Sequence, residues 1–368
     1  MPLSIVFIGL SITSSWGNGH ATTYRSLLRA LAARGHELIF LERDVPWYAD
    51  HRDLPDPDYC RTILYRGLDR LKAGFSGLLR EADAVVVGSY VPDGPAVARW
   101  ALEAANGIAA FYDIDTPVTL AKLDRGECEY LSPDLVPEFD LYLSFTGGPT
   151  LRRLEELHGA RCARALYCSV DPDEYYPEDL APDWDLGYLG TYSPDRQPKL
   201  DELLIAPARA WPAGRFAVAG PQYPPELAWP GNVARVEHLP PSEHRGFYNR
   251  QRFTLNVTRA DMVASGWSPS VRLFEAAACG VPIVSDWWPG LDELFEPGTE
   301  VLVAAAADEV LALLRELPEE RRRAVGQAAR RRVLAAHTAA HRAAEFERDI
   351  EEARNRKRNQ QFTCQLSV

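Results

Sequence analysis

Short apolar runs alternate with amphipathic helical segments along the first half of the chain. The apolar runs, typical of buried strands, lie at residues 5–9, 37–41, 84–88, 108–112, 141–145 and 164–168. Apolar side chains recur every three to four positions at residues 22–34, 94–105 and 150–158, the spacing of helices that cover a sheet. Because apolar strands alternate with helices, the pattern predicts a parallel sheet with helices on both faces.

The same alternation returns after residue 180. It predicts strands at residues 186–190, 216–220, 233–238, 254–257, 282–285 and 301–304, and helices at 199–206, 242–249, 270–278 and 307–316. The intervening residues 169–179 are rich in proline and acidic side chains and predict a linker. We therefore expect two Rossmann-like, doubly wound α/β domains, residues 1–168 and 180–335, that face each other across a cleft at the carboxyl ends of their strands.

The end of the chain is helical in pattern from about residue 319 to residue 353. We expect residues 336–355 to form a helix that crosses back to the first domain. The basic run at residues 354–358 introduces a polar stretch, and residues 356–368 are predicted to be disordered.

Composition narrows the class of protein. The 368 residues are 46% hydrophobic and 25% charged, and the net charge of −12 argues against a nucleic-acid backbone as the main partner. The apolar start of the chain has no basic segment before it, and no apolar run has the length of a membrane span. The six cysteines form no Cys-x-x-Cys pair and no cluster with histidine. We expect a cytoplasmic protein with no metal and no cofactor.

The stretch Ser265 to Asp286 carries the strongest chemical signal. Glycine and serine residues, including Ser268 and Ser270, lead into a helix that contains Arg272 and Glu275. Free N–H groups at a helix start can hold a diphosphate, and a carboxylate one turn further can accept hydrogen bonds from ribose hydroxyls. The alternative is a helix–strand packing motif without function.

Two further loops follow predicted strands. The segment after the first strand of the second domain contains Gly190, Tyr192, Arg196 and Lys199, and its two cations suit a diphosphate, although an ordinary basic turn would look the same.

The loop after the first strand of the chain reads Trp16-Gly17-Asn18-Gly19-His20. His20 suits a general base, because histidine titrates near neutral pH. Asp113 or Asp115, at the end of another strand, could orient it. Structural hydrogen bonding of His20 and helix capping by the aspartates remain alternatives. Together with Tyr90, the residues from Trp16 to Gly19 are our predicted acceptor contacts.

Three segments of the chain resemble GT-B glycosyltransferases of the group-1 (family 4-like) branch, and especially the spore-maturation CgeB-like enzymes. They are residues 168–177, Cys-Ser-Val-Asp-Pro-Asp-Glu-Tyr-Tyr-Pro; residues 236–239, Val-Glu-His-Leu; and residues 274–282, Phe-Glu-Ala-Ala-Ala-Cys-Gly-Val-Pro. The resemblance implies a nucleotide-diphosphate sugar donor, with His238 near its base, Glu275 on its ribose, and Arg196 and Lys199 near its diphosphate.

The chain departs from that branch at one position. The branch commonly has two glutamates in an E-x7-E arrangement; Glu275 matches the second, and the first falls at Trp267. Gly19-His20 resembles instead the start of inverting GT-B enzymes, which implies His20 as the base and Asp113 or Asp115 as its partner.

The hypothesis is a metal-independent hexosyltransferase of GT-B architecture. It would move a sugar from a nucleotide donor (UDP, dTDP or GDP sugar) bound to the second domain onto an acceptor hydroxyl bound to the first. A nucleotide-sugar epimerase on the same fold and a non-catalytic nucleotide- or sugar-binding protein remain as alternatives.

Overall fold

The computed structural model describes residues 2–366, with side chains described up to residue 360, and divides the chain into two compact units. Unit 1 contains the residues up to Tyr167 and those from Ala339 onward, and unit 2 spans Cys168–Thr338. Each unit has its own parallel sheet and its own buried core.

Seven parallel strands form the sheet of unit 1 within the described residues, in the order β3-β2-β1-β4-β5-β6-β7. They are β1 (Ser4–Gly9), β2 (Glu37–Arg43), β3 (Arg61–Tyr65), β4 (Ala84–Gly88), β5 (Ile108–Asp113), β6 (Leu141–Ser144) and β7 (Ala163–Ala165). The central strands β4 and β5 are buried along their whole length, which explains their unbroken apolar sequences.

Six helices connect these strands. They are α1 (Gly19–Ala33), α2 (Pro46–Ala49), α3 (Leu68–Glu81), α4 (Gly94–Ala104), α5 (Thr116–Arg125) and α6 (Pro149–Glu156), and a 3₁₀ turn covers Pro133–Glu138. Helix α1 begins three residues earlier than the apolar spacing predicts, because the Asn18 side chain caps it by accepting a hydrogen bond from the His20 N–H at 3.1 Å. His20 therefore lies in the first turn of this helix.

Unit 2 has a six-stranded parallel sheet within the described part of the chain, in the order β10-β9-β8-β11-β12-β13. Its strands are β8 (Trp184–Leu189), β9 (Phe216–Ala219), β10 (Val233–Val236), β11 (Gln251–Asn256), β12 (Ile283–Ser285) and β13 (Leu302–Val303). Its helices are α7 (Gln197–Leu200), α8 (Ala206–Ala210), α9 (Pro241–Asn249), α10 (Ala260–Ser265), α11 (Val271–Ala278), α12 (Leu291–Leu294), α13 (Ala307–Glu316) and α14 (Glu319–Ala336). A π-helical turn, Asp201–Ile205, joins α7 to α8.

The last helix, α15 (Ala339–Leu366), packs in unit 1. The Phe346 ring stacks on Phe7 of β1 with centroids 5.9 Å apart, and Glu347 binds both Arg34 and His36 at the end of α1. The final helical segment is thus two helices, separated at residues 337–338, where the His337 carbonyl accepts a hydrogen bond from the Val170 N–H at 3.2 Å.

The predicted disordered tail is wrong for residues 356–366, which belong to α15. Lys357 shows why the helix continues: its ammonium donates to the Gly107 carbonyl at 2.7 Å and to Asp140 at 2.9 Å. Lys357 of the basic run therefore binds residues just before β5 and β6, at the amino-terminal ends of these strands. The last two residues of the predicted tail, 367 and 368, lie outside the described residues.

The predicted linker, residues 169–179, is packed against unit 2 rather than extended. Tyr175 is buried, and Arg245 of α9 holds the segment by donating to the Glu174 carbonyl and the Glu178 carboxylate, each at 3.0 Å. Of the acidic side chains in this segment, Glu178 thus has a structural explanation in its contact with Arg245.

The alternating α/β architecture predicted from the sequence is confirmed, with some elements added. Strand β3 and helices α3 and α5 lie where the pattern gave no assignment. Strand β3 is short and lies at the sheet edge, and only one of its five residues is buried, so its sequence carries no strong apolar signal.

Candidate active site

The strand order reverses direction once in each sheet. In unit 1 the reversal lies between β1 and β4, and in unit 2 between β8 and β11. Two successive connections leave such a point on opposite faces of a sheet, which opens a crevice at the carboxyl ends of the strands. The loop with His20 follows β1, the loop with Tyr90 follows β4, and the loop with Arg196 follows β8. These three segments are therefore adjacent to the two reversal points, whereas Asp113 ends β5, Asp115 follows it, and His238 follows the edge strand β10.

His20 is half-buried in unit 1. Its Nδ1 atom is buried and has no hydrogen-bond partner among the described residues. The Tyr90 ring lies against the imidazole in an edge-on arrangement, with centroids 5.3 Å apart. Burial lowers the pKa of His20 below its ordinary value, and the charge of Asp115 partly opposes that effect. A lowered pKa favours the neutral imidazole, the state that can accept a proton.

The two aspartates predicted to assist His20 have different surroundings. Asp113 is fully buried and accepts hydrogen bonds from Tyr142 and Thr119, each at 2.7 Å. Burial, only partly offset by these bonds, raises the pKa of Asp113 to about 6. Asp115 accepts a hydrogen bond from the Tyr90 hydroxyl at 2.9 Å, and its charge acts on His20. Asp115 is therefore connected to His20 through Tyr90, whereas Asp113 holds the loop between β5 and α5.

A buried carboxylate that the sequence analysis missed shapes the loop after β1. Glu42, at the end of β2, accepts hydrogen bonds from the Ser11 hydroxyl, the Ile12 N–H, and both the N–H and the hydroxyl of Thr13, at 2.6–3.0 Å. A charged side chain with no exposure persists because its oxygens are satisfied. Only the pairing of β1 with β2, which no local pattern gives, could have revealed it.

The same loop is fixed at its outer end. Asp53 forms two hydrogen bonds with Arg25 and accepts others from the N–H and hydroxyl of Ser15. Although burial favours its protonated form, these contacts lower the pKa of Asp53 to about 2. Trp16 stacks on His51 with ring centroids 4.2 Å apart, and Gly17 has a positive φ of 58° that lets the chain turn into α1.

In unit 2, two arginines flank the end of β8: the half-buried Arg196 and the buried Arg272. Arg196 donates to the Tyr188 hydroxyl at 3.1 Å and to the Thr191 carbonyl at 3.2 Å, and its Nε atom is buried without a partner among the described residues. Arg272, only 6% exposed, lies over the Tyr188 ring at 4.6 Å and donates to the Leu189 carbonyl at 2.5 Å. Neither arginine forms an ion pair with a carboxylate in the part of the chain that the structure describes.

Gly190 makes room for this arrangement. A Cβ atom at residue 190 would lie 2.6 Å from the Tyr188 hydroxyl and 2.8 Å from Nη2 of Arg272. A side chain at this position is therefore excluded by Tyr188 and Arg272, and the backbone comes close to both. This explains why glycine follows β8.

The loop after β11 faces the same crevice and was not predicted. Asn256 accepts a hydrogen bond from Arg272 at 2.8 Å and donates to Ser285 at 3.0 Å. Asp195 lies 3.5 Å from Arg259 and accepts a hydrogen bond from the Ala260 N–H. The carboxylate next to Arg196 in the sequence is thus bound to another arginine.

Three further residues predicted to contact the nucleotide-sugar donor are Lys199, Tyr192 and His238. Lys199 forms an ion pair with Glu202 at 2.6 Å on the partly exposed side of α7. Tyr192 lies edge-on to Tyr223 with centroids 5.6 Å apart, and His238 is half-buried just after β10. The structure therefore brings Arg272 to Arg196, whereas the Lys199 ammonium binds a neighbouring carboxylate.

Helix α11 begins without a side-chain cap. Ser270 precedes it in an extended conformation and accepts no capping hydrogen bond, and the buried Ser268 hydroxyl donates to the Gly266 carbonyl at 3.0 Å. The N–H groups of the first turn remain the positive end of the helix dipole. Trp267, which stands where the branch has its first glutamate, has φ of +45° and donates its N–H to the Pro289 carbonyl at 2.6 Å. Its backbone therefore helps to fix the loop before α11.

Glu275, on α11, is 1% exposed. One carboxylate oxygen accepts a hydrogen bond from the Tyr248 hydroxyl at 2.9 Å, and the His244 Nδ1 atom lies 4.0 Å away. The other oxygen is buried and has no partner within the described residues. Glu275 thus retains an unused acceptor oxygen on the same helix as Arg272. A ribose hydroxyl could donate a hydrogen bond to that oxygen.

Sequence reasoning also missed an aromatic cluster at the edge of this sheet. The Arg235 guanidinium lies 4.2 Å from the Tyr223 ring centroid and 4.6 Å from that of Trp229. It donates to the Val218 and Gly220 carbonyls, and burial lowers its pKa. Both aromatic residues lie in the loop between β9 and β10, and Arg235 lies on β10, so the cluster depends on how this loop folds back over the strand.

Two absences hold for the described residues alone. No group of three or more His, Cys, Asp and Glu side chains among them could hold a metal ion, and the predicted metal independence stays a prediction. No helix within residues 2–366 is long and apolar enough to cross a membrane.

Part of the chain matches the model of a known protein family. Residues 196–348 match the model of a family described as glycosyl transferase-like. None of the curated proteins matches the chain.

Solved structures share the fold over nearly the whole length. Sucrose-phosphate synthase from Thermosynechococcus elongatus is 15% identical, with a TM-score of 0.69 over 95% of this chain and 98% of the other. Anabaena HepE in complex with UDP and glucose is 12% identical, with a TM-score of 0.70 over 95% and 100%. AviGT4, a glycosyltransferase of avilamycin A biosynthesis, is 16% identical, with a TM-score of 0.62 over 96% and 98%.

These likenesses, together with the two doubly wound units, define the fold as that of the GT-B glycosyltransferases. The fold predicted from the sequence is confirmed.

Proposed function

We propose that this protein is a metal-independent glycosyltransferase that moves a hexose from a nucleotide-diphosphate sugar to an acceptor hydroxyl. We also propose that it belongs to the group-1-like branch and, on the three resembling segments, to its CgeB-like enzymes. The observation that carries the proposal is the pair formed by the buried Arg272 and the half-buried Arg196, whose Nε atom is buried, without carboxylate partners among the described residues. A buried guanidinium without a counter-ion is costly, and a bound anion removes that cost.

The diphosphate of the donor is the anion that fits this site. Arg196 and Arg272 would bind its oxygens, and the first turn of α11 after Ser270 would add N–H donors. Glu275, with one unused oxygen, would accept hydrogen bonds from the ribose, and His238 would lie near the base. Lys199 would join them only by leaving Glu202. The UDP bound to Anabaena HepE makes UDP sugars the first donors to test.

In the proposed mechanism, His20 is the general base. Its neutral imidazole would take the proton of the acceptor hydroxyl, whose oxygen would form the new bond to the anomeric carbon. The electron pair of the broken carbon–oxygen bond would leave with the nucleoside diphosphate, and Arg196 would stabilise the added negative charge. Trp16, Gly17, Asn18 and Gly19 stay predicted acceptor contacts; the Asn18 side chain already serves as the cap of α1.

The test is nucleoside-diphosphate binding by Arg196→Ala. A ligand that binds only the folded state, present at about 100 times its dissociation constant, adds about 2.7 kcal/mol to stability, so thermal shifts with UDP, dTDP and GDP should identify the base. Calorimetry should then show binding of that nucleotide weakened at least about tenfold in the variant, because a charge-assisted contact to phosphate contributes about 1.5–3 kcal/mol. Arg209→Ala, which removes an exposed arginine of α8, is the matched control.

Glu275→Gln adds a second arm to the same experiment. The substitution should weaken the binding of nucleoside diphosphates and leave the binding of inorganic pyrophosphate unchanged, since only the nucleoside has ribose hydroxyls. Equal binding by wild type and Arg196→Ala would contradict the donor site. Acceptor-dependent transfer would separate the proposal from an epimerase or a binding protein, which no contact among the described residues favours. A cytoplasmic location stays a prediction.

A further inference from the structure

Tyr90 joins two residues of the proposed catalytic pair. Its hydroxyl donates to Oδ2 of Asp115 at 2.9 Å, and its ring lies against the His20 imidazole with centroids 5.3 Å apart. His20 follows β1, Tyr90 follows β4 and Asp115 follows β5, which are three consecutive strands of the sheet. One side chain thus connects the two loops on either side of the reversal point in the strand order.

The backbone at Tyr90 is unusual for its residue type. Tyr90 has φ of +62° and Asp93, in the same loop, has φ of +58°, both in the left-handed region. A non-glycine residue in that region costs about 1–3 kcal/mol and persists where surrounding contacts fix it. Here the Tyr130 ring lies 4.3 Å from the Tyr90 ring, and the Lys122 ammonium lies 5.4 Å from both. The loop is therefore held in a strained conformation that presents the hydroxyl to Asp115.

We propose that Tyr90 is a positioning residue, which fixes the Asp115 carboxylate and the His20 ring in the geometry for proton transfer, rather than an acceptor contact. The proposal rests on the proposed function of His20 as a base. It revises the sequence-based prediction for Tyr90, because its hydroxyl and its ring are already engaged within unit 1.

The physical reason lies in the burial of His20. Its imidazole becomes positive when it takes a proton, and a buried cation needs a nearby anion in a fixed position. Asp115 is the charged group that acts on His20. The other charges of the cluster are Asp113, bonded to Tyr142 and Thr119, and Lys122, bonded to Glu129. Burial and the neighbouring Asp115 raise the pKa of Tyr90 far above its ordinary value, so the hydroxyl stays a donor.

The decisive variant is Tyr90→Phe, which keeps the ring against His20 and removes the hydroxyl. Without that donor, Asp115 is no longer fixed toward His20, and the imidazole loses part of the attraction that opposes burial. We expect the pKa of His20, measured by NMR titration of its ring signals and assigned through their loss in His20→Gln, to fall further. We expect kcat to fall about tenfold or more, with the KM for the donor unchanged.

Tyr130→Phe is the matched control. It removes a hydroxyl from the same aromatic stack, but that hydroxyl is bonded to Thr119 at 2.8 Å rather than to Asp115. We expect this variant to keep the wild-type pKa of His20 and the wild-type kcat. If the stack mattered only for folding, both variants would change thermal stability and neither would move the titration of His20.

An unchanged or raised pKa of His20 in Tyr90→Phe would overturn the proposal, as would an equal fall in Tyr130→Phe. The NMR titration needs no substrate, so this result is separate from the test of the proposed function. If no transfer is found with any donor while the pKa of His20 still falls in Tyr90→Phe alone, the glycosyltransferase assignment fails and the positioning of His20 stands.

Discussion

Buried ionisable side chains at the strand ends differ in whether they have partners. Glu42 and Asp113 are fully buried, and each accepts several hydrogen bonds, Glu42 from the loop after β1 and Asp113 from Thr119 of α5 and Tyr142 of β6. Arg196 and His20 instead have buried nitrogen atoms without partners among the described residues. A satisfied buried group stabilises the fold, whereas an unsatisfied one costs free energy that a ligand or a reaction can recover. This contrast separates structural residues from the proposed functional ones.

The pH dependence of activity should follow the titration of His20. Burial lowers the pKa of His20 below 6.5, and the base must be neutral, so kcat/KM should be level above that value and fall as the pH decreases through the lowered pKa. His20→Ala should lose about 10²–10⁴ in rate. Rates of transfer measured between pH 5 and 8 for wild type and variant would check both statements.

The matched control is His158→Ala. Burial also lowers the pKa of His158, but that residue follows α6 and lies near Asp124, away from His20. It should transfer sugar at the wild-type rate with the same pH profile. Near-normal turnover in His20→Ala would contradict its function as the base.

At the residue scale, the sequence indicated candidate site residues but not the residues that they contact. Arg196, Glu275 and His20 were singled out from local motifs, because each follows or precedes an apolar strand in a recognisable order. The choice of Asp115 over Asp113 depends on which hydrogen bonds Tyr142 and Tyr90 make. Those two tyrosines are far from the aspartates in sequence, so no local pattern contains the answer.

The helix that ends the chain is an element whose contacts lie far away in sequence. Glu347 of α15 contacts Arg34 at 2.5 Å and His36 at 2.6 Å, at the end of α1. His36 also accepts the Leu3 N–H at 3.0 Å on its other ring nitrogen. The neutral imidazole can therefore donate to Glu347 through Nε2, and α15 is fixed to both β1 and α1.

Removal of this carboxylate should weaken unit 1 in a pH-dependent way. The hydrogen bonds from Arg34, opposed by burial and assisted by His36, lower the pKa of Glu347 to about 2. A carboxylate with a lowered pKa stabilises the fold above its ordinary value near 4.5 and loses that effect as the pH falls toward 2. Glu347→Gln should thus cost about 1 kcal/mol at pH 7, since the pair is partly exposed, and progressively less below pH 4.5.

Denaturant unfolding at a series of pH values between 7 and 3 would measure this difference. Glu103→Gln is the control, since Glu103 is exposed on α4 and has no ion pair among the described residues. A difference between wild type and Glu347→Gln that stays constant over the pH range would contradict the assignment of the stabilisation to the ionised carboxylate.

At the element scale, the apolar pattern predicted strands with long buried runs and missed those with little burial. Strands β4 and β5 have continuous apolar sequences and were predicted to within a residue. Strand β3 pairs on one side alone and is partly exposed, so its residues had no reason to be apolar. The continuation of α15 past residue 355 was missed because its basic side chains bind distant carboxylates and carbonyls, and basic composition alone indicates disorder.

At the scale of the whole molecule, the two units have separate cores, so a bound nucleotide-sugar donor should slow hydrogen exchange in one unit alone. If a nucleoside diphosphate binds at Arg196 and at the start of α11, hydrogen exchange should slow at residues 190–197 and 266–273, where backbone N–H groups lie near the proposed diphosphate site. Strands β2 and β5 of unit 1 serve as the internal reference, because their exchange should not depend on a direct contact with the ligand.

Hydrogen-exchange mass spectrometry with and without UDP, on wild type and on Arg196→Ala, would make this measurement. Protection in wild type that is lost in the variant is the expected result. Protection of equal size in both proteins, or protection confined to unit 1, would contradict the proposed donor site.

The sequence by itself determined that the chain has two parallel α/β units, because burial on both faces of a strand demands a local run of apolar residues. It also indicated the loops that carry chemistry, since glycine, serine and charged residues directly follow those runs. The tertiary structure decided the strand order, which puts β1 beside β4 and β8 beside β11, and thereby which loops meet. It also decided which buried charges are satisfied. Both depend on contacts between distant segments, which local sequence patterns do not encode.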